Sequence, residues 1–123
     1  MDYVKLEHEM VALGRNLSEL PDWMALTTLD GAFLRQFPTH LDGDHIATLT
    51  HSNMLQSRHM LHDLDNGTFR YSITAGNKGL YVIVLLGDTH LFGLNYQRIK
   101  SFDALIASLR QNLQPLLTIL GIG

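Results

Sequence analysis

Hydrophobic residues recur at alternating steps of three and four along the first stretch of the chain. Tyr3, Leu6, Met10, Leu13 and Leu17 share one stripe, while Lys5, Glu7, Glu9 and Arg15 lie elsewhere. That spacing predicts an amphipathic helix, ended by Ser18 to Asp22 with its Pro21. Trp23 to Leu29 then reads as a strand, Asp30-Gly31 as the two-residue turn whose twist suits a tight hairpin, and Ala32 to Phe37 as the return strand, closed by Pro38. Thr39 to Asp44 reads as a loop in which Asp42 or Asp44 caps the next helix.

The second helix, about Asp44 to Leu64, carries two unlike faces. Ile46, Leu49, Thr50, Asn53, Met54, Ser57, Met60, Leu61 and Leu64 make a broad stripe suited to lying on a sheet. His51, Leu55, Arg58, His59 and His62 make the other side. Asp65-Asn66-Gly67 stops the helix. From Thr68 the period changes to two, with Phe69, Tyr71 and Ile73 alternating with Arg70, Ser72 and Thr74, which predicts a strand over Thr68 to Thr74. Gly76 to Gly79 makes a hairpin turn. Leu80 to Leu86 is apolar throughout, the pattern of a strand covered on both faces, and this places it centrally. His90 to Tyr96 is the last strand. Ser101 then caps a closing helix striped by Phe102, Leu105, Ile106, Leu109, Leu113, Leu116, Leu117 and Leu120, with a kink expected at Pro115.

Three helices and five strands in the order α-β-β-α-β-β-β-α predict an α+β fold, a five-stranded antiparallel sheet sandwiched between the second helix and the two terminal ones. At 123 residues one core suffices, burying roughly two thirds of the surface of the unfolded chain. The net charge of −3 argues against nucleic acid as the main ligand, since phosphate binding needs a basic face. The absence of cysteine removes disulfides, thiolate nucleophiles and Cys-based zinc sites together. The longest apolar run is far short of the ~20 residues that span a bilayer, so a cytoplasmic protein without membrane insertion is expected.

The joint order and spacing of four stretches resembles the Roadblock family, small domains named for a dynein light chain. They are Ala25-Leu26-Thr27-Thr28-Leu29-Asp30-Gly31, the helix His45 to Leu64, the meander Phe69 to Tyr96, and the helix after Ser101. The resemblance implies one Roadblock-like domain over residues 1–123 and a homodimer in which second helices lie side by side and the first meander strands pair into a continuous sheet. It further implies a non-catalytic regulator or adaptor, without cofactor, that binds a small Ras-like GTPase or scaffolds a signalling or motility complex. The strand Thr68 to Thr74 fits such pairing, because an edge bearing Phe69, Tyr71 and Ile73 without proline is poorly protected.

The expected contact surface is therefore the helix face His51, Leu55, Arg58, His59 and His62 together with Phe69, Tyr71 and Ile73. Leu55 is its discriminating residue, an apolar anchor among polar neighbours. His59 and His62, at i and i+3 with His51 near the same face, invite a metal. A zinc site wants four ligands, and Asp63 points away, so no metal is expected. Asp63 and Asp65 sit at a helix end, Ser52 and Ser57 inside a helix, and Gly76 to Gly79 precedes no helix N-terminus, so neither catalysis nor a phosphate loop is indicated. Arg98 reads as a solvated loop residue. The alternatives are a small-molecule sensor module of PAS or GAF type, or a structural subunit of a larger assembly.

Overall fold

The computed structural model describes residues 2–38 and 41–122. Helix α1 (Tyr3–Asn16) starts where the Asp2 carboxylate accepts from the Lys5 amide, and it turns Leu6, Met10 and Leu13 inward. Strands β1 (Trp23–Thr28) and β2 (Phe33–Phe37) form the expected hairpin, with Gly31 at φ +98° in its turn. Helix α2 (Gly43–Asp63) is capped by Asp42, which accepts from the His45 amide at 3.2 Å. Thr39 and His40 of the predicted loop lie outside the described residues.

Strands β3 (Tyr71–Ala75), β4 (Leu80–Leu86) and β5 (His90–Tyr96) make the meander, and the sheet runs β2-β1-β5-β4-β3 with every neighbour antiparallel. The middle position belongs to β5, and β4, which its continuous apolar character placed centrally, stands second from the edge. It is nevertheless covered on both sides, which is what its composition requires.

Two further boundaries differ from expectation. Strand β3 begins at Tyr71 rather than Thr68, because Gly67 turns at φ +88° and Phe69 is drawn under α2, where it is 3% exposed among Met54, Ile83 and Leu91. The closing helix is two helices, α3 (Phe102–Asn112) and α4 (Gln114–Ile119), so the described residues hold four helices and not three. Pro115 lacks the amide that would continue α3's ladder and stands instead in the first turn of α4, where that amide is not needed.

The layers follow. Met24, Leu26, Val82, Phe92 and Leu94 face α1, α3 and α4, whose Leu6, Met10, Leu105, Leu109 and Leu116 complete the larger core. The opposite face carries α2 over a smaller core. Arg35 of β2 pairs with Glu7 of α1 at 3.3 Å on the side of the terminal helices.

Candidate interaction site

Three hydrogen-bonded ties set the rotation of α2 on the sheet. The Thr50 hydroxyl reaches the Tyr81 hydroxyl of β4 at 2.9 Å. Asn53 spans two residues of β3, accepting from Ser72 Oγ at 2.8 Å and donating to Thr74 Oγ1 at 3.2 Å. His51 Nδ1 lies 2.9 Å from the Leu29 carbonyl, just beyond β1. Asn53 therefore marks the flank of α2 that overlooks β3, and His51 marks the flank that looks away from it.

The β3 flank is apolar and open. Leu49 and Met60 are 54% and 57% exposed, and they follow the same helix line as Asn53 at i−4 and i+7. Both belong to the stripe expected to lie on the sheet, and Leu64 of that stripe is exposed as well. The sheet takes up only Ile46, Ala47, Thr50 and Met54 fully. This flank is what the sequence reading missed. The available signal was Asn53, a polar residue inside an otherwise apolar stripe, which marks where the stripe leaves the core.

The other flank gathers the five nominated helix residues. Leu55 is 38% exposed beside His51, Arg58, His59 and His62. Arg58 borders two shallow clefts, one of about 380 Å³ with Asp30 and Thr89, the other of about 480 Å³ with His59, His62 and Asp88. His62 Nδ1 stands 3.6 Å from Asp63 Oδ1, both side chains in solvent. Among the described residues, no three His, Asp or Glu side chains come together to hold a metal ion.

Of the nominated strand residues, Phe69 is used inside the subunit and offers nothing to a partner. Tyr71 is exposed and Ile73 half-buried, both on the sheet face of the terminal helices rather than under α2. Their backbone matters more than their side chains. The Leu85 amide donates to the Arg70 carbonyl and the Gly76 amide to the Gly79 carbonyl, so in an antiparallel ladder Arg70, Ser72, Thr74 and Gly76 turn their backbone groups toward β4. Tyr71, Ile73 and Ala75 turn theirs outward. No proline or charged residue blunts this edge between Tyr71 and Ala75, whereas the opposite edge, β2, has Arg35 within it and Pro38 after it.

Burial raises the pKa of Tyr81, with the Thr50 hydroxyl working the other way, and burial lowers that of His90. Tyr96, which donates to the Glu19 carbonyl at 2.9 Å, is pushed up by burial and further by the charges of Glu19 and Asp22.

The sequence profile of the Roadblock/LC7 domain family matches residues 23–94. Among solved structures, MglB of Myxococcus xanthus is similar over 98% of both chains, with 13% identity and a TM-score of 0.81. The gliding protein MglB of Thermus thermophilus is 15% identical over 98% of this chain and 92% of its own, with a TM-score of 0.78. A Roadblock/LC7 domain from Streptomyces avermitilis is 17% identical over 93% of this chain and 96% of its own, with a TM-score of 0.76. No protein with a curated description matches the chain. At these identities the structural likenesses speak to the fold.

Proposed function

The chain belongs to the Roadblock/LC7 domain family, and on that premise we propose that it is a non-catalytic adaptor or regulator which works as a homodimer and presents its helical layer to a small Ras-like GTPase. One observation carries the reading: the unprotected outward amides of β3 lie next to the exposed Leu49 and Met60 flank of α2, and Asn53 ties the two together. A second copy that extends the sheet through β3 brings its own α2 alongside the first. Strands about 4.8 Å apart beneath helices that pack at about 8–10 Å allow both contacts at once. The pairing removes an aggregation-prone edge and covers apolar helix surface in a single step.

In this dimer the seam takes the Leu49 and Met60 flank, and the flank with Leu55, Arg58 and the histidines is left facing outward on each subunit. We assign that outer flank to the GTPase. Its make-up, an apolar anchor ringed by polar and cationic groups, is that of a protein contact. The likeness to a gliding protein supports a signalling or motility setting, and a cytoplasmic location goes with such a partner. No helix among the described residues is long and apolar enough to cross a membrane.

The test is the molar mass in solution, for the native chain and for Tyr71→Pro, followed by retention of a Ras-like GTPase on the immobilised protein with GTP or GDP bound. Tyr71 is the first residue of an edge strand and its amide points outward, so proline removes a donor to the partner while sparing the ladder with β4. The native chain is expected at twice its monomer mass and the variant as a monomer with its melting transition retained. A native monomer at high concentration, or a variant that stays dimeric, overturns the continuous sheet. Equal retention in the two nucleotide states removes the GTPase from the reading.

A further inference from the structure

Strand β3 can offer a second copy only every other residue, because Arg70, Ser72, Thr74 and Gly76 spend their backbone groups on β4. In a two-fold antiparallel ladder Tyr71, Ile73 and Ala75 must therefore meet the same outward set of the partner. With Ile73 on the axis, opposite itself, Tyr71 faces the partner's Ala75 and each outward amide and carbonyl of the strand is bonded. Sliding one copy by two residues puts Ser72 or Thr74 on the axis and leaves part of the strand unpaired. The side chains on the α2 face single out the same register. Ser72 Oγ donates to Asn53 Oδ1 at 2.8 Å, and Asn53 Nδ2 donates to Thr74 Oγ1 at 3.2 Å. A hydroxyl has one proton and two lone pairs. The Ser72 proton is spent while its oxygen can still accept, and the Thr74 proton has no acceptor among the described residues.

We propose that Thr74 donates this proton to Ser72 of the second copy, closing a hydrogen-bonded circuit of Asn53, Thr74 and Ser72 that crosses the seam twice and makes the edge specific for an identical chain with Ile73 on the axis. The inference rests on the homodimer through β3 and adds to it a register and the residues that select it. With Ile73 central, Ser72 stands opposite the partner's Thr74 as a pair without backbone bonds between them. In such pairs the Cα atoms approach to about 4.5 Å and Ser and Thr hydroxyls reach one another. With Ser72 on the axis, two hydroxyls whose protons are already spent would face each other, and the free proton of Thr74 would lie opposite Arg70. With Thr74 on the axis, Ser72 would lie opposite Gly76, which has no side chain to offer. Turning the Asn53 amide over reverses the direction of the bonds and leaves the fit unchanged.

The chain has no cysteine, so single cysteines read the register directly. Under mild oxidation Ile73→Cys is expected to form a covalent dimer, since the axial Cα atoms lie about 5.5 Å apart, within disulfide reach. Ser72→Cys and Thr74→Cys meet their own copies only at about 8 Å and are expected to link when mixed with each other but not alone. Faster linking of Ser72→Cys or Thr74→Cys by itself overturns the register and leaves the dimer standing. No linking in a chain that sediments as a dimer overturns the register too, whereas a native chain that sediments as a monomer removes the dimer and this inference with it. Thr74→Val is expected to raise the dimer dissociation constant about tenfold, through two lost bonds per dimer, and Thr74→Ser to leave it near native. Ser72→Ala combined with Thr74→Val is expected to cost no more than either alone, because donor and acceptor serve one bond. Additive losses would trace the effect to each residue's own tie to Asn53 and overturn the circuit, as would an unchanged constant in Thr74→Val.

Discussion

The hydroxyls of Thr50 and Tyr81 meet at 2.9 Å above Gly93, and this contact fastens α2 to the middle of the sheet. Thr50 gives its one proton to the Ile46 carbonyl at 2.7 Å, so Tyr81 is the donor between the two hydroxyls. The ring reaches Thr50 because it lies across β5 where Gly93 has no side chain. A methyl group on Gly93 would overlap the Tyr81 hydroxyl and ring, which are hemmed in by Trp23 at 5.4 Å between ring centres. Gly93→Ala is therefore expected to expel the ring and cost about 3 kcal/mol, from overpacking together with the lost bond. Tyr81→Phe keeps the ring in place and leaves Thr50 bonded to Ile46, so it is expected to cost only about 1 kcal/mol. Thermal or urea unfolding of the two variants measures the difference, and equal losses would mean that the space over Gly93 is not needed.

Tyr81 and Tyr96 also set how the fold responds to alkali. Both have pKa values raised above 10 by burial, so the folded state holds the phenol proton more tightly than the unfolded chain does. Their contribution to stability is complete below about pH 10 and is lost as the pH climbs above it towards the folded-state values. The melting temperature is expected to be level on the approach to pH 10 and to fall beyond it. The double variant Tyr81→Phe, Tyr96→Phe starts lower, since it gives up the bonds to Thr50 and Glu19, but is expected to fall less steeply. Parallel slopes for the native and doubly substituted chains would show that other groups govern alkaline unfolding.

Local chemistry was legible in the sequence wherever it acts through neighbours in the chain. The Asp30-Gly31 hairpin, the acidic cap before α2, the Ser101 cap and the alternation in β3 all follow from residues within a few positions of one another. The rank of the strands did not, because β5 takes the middle place by pairing with β1, some sixty residues away in the chain, as well as with β4. Phe69 reads as a ladder position from its period, yet its side chain answers to Met54 and Ile83. On α2 the limit is of a different kind: a stripe of apolar residues shows which groups avoid water, and the same pattern serves for a sheet within the subunit and for a second copy beside it. The pattern alone therefore places Leu49 and Met60 on the sheet and centres the contact surface on Leu55.

Glu19 holds the entry to α3. Its carboxylate accepts from the Lys100 amide at 3.0 and 2.9 Å, and its own carbonyl accepts from Tyr96, so one residue of the loop after α1 fixes the chain between β5 and α3. Glu19→Ala is expected to lower stability by about 1–2 kcal/mol, the usual worth of a charge-assisted bond with partial solvent exposure. Glu19→Gln keeps an acceptor and is expected to lose about half as much. Amide exchange checks the cause, since the protection lost in Glu19→Ala is expected at Lys100 and in the first turn of α3 and not in α2.

Met60 and Leu55 separate the two flanks of α2. Met60 is 57% exposed on the side of Asn53 and β3, and Leu55 is 38% exposed on the side of His51. Neither is fully in the core, so aspartate at either position is expected to leave the subunit folded, within about 1 kcal/mol of native stability. If the seam runs along β3, Met60→Asp sets two desolvated carboxylates near the contact between the paired helices and is expected to raise the dimer dissociation constant at least about tenfold, the equivalent of 1.4 kcal/mol. Leu55→Asp is expected to leave the dimer intact and to reduce GTPase retention instead. Sedimentation equilibrium and the retention assay on both variants read the two effects independently. The reverse result, monomers from Leu55→Asp and dimers from Met60→Asp, would move the seam to the histidine flank and require the second subunit to approach from the side of β1.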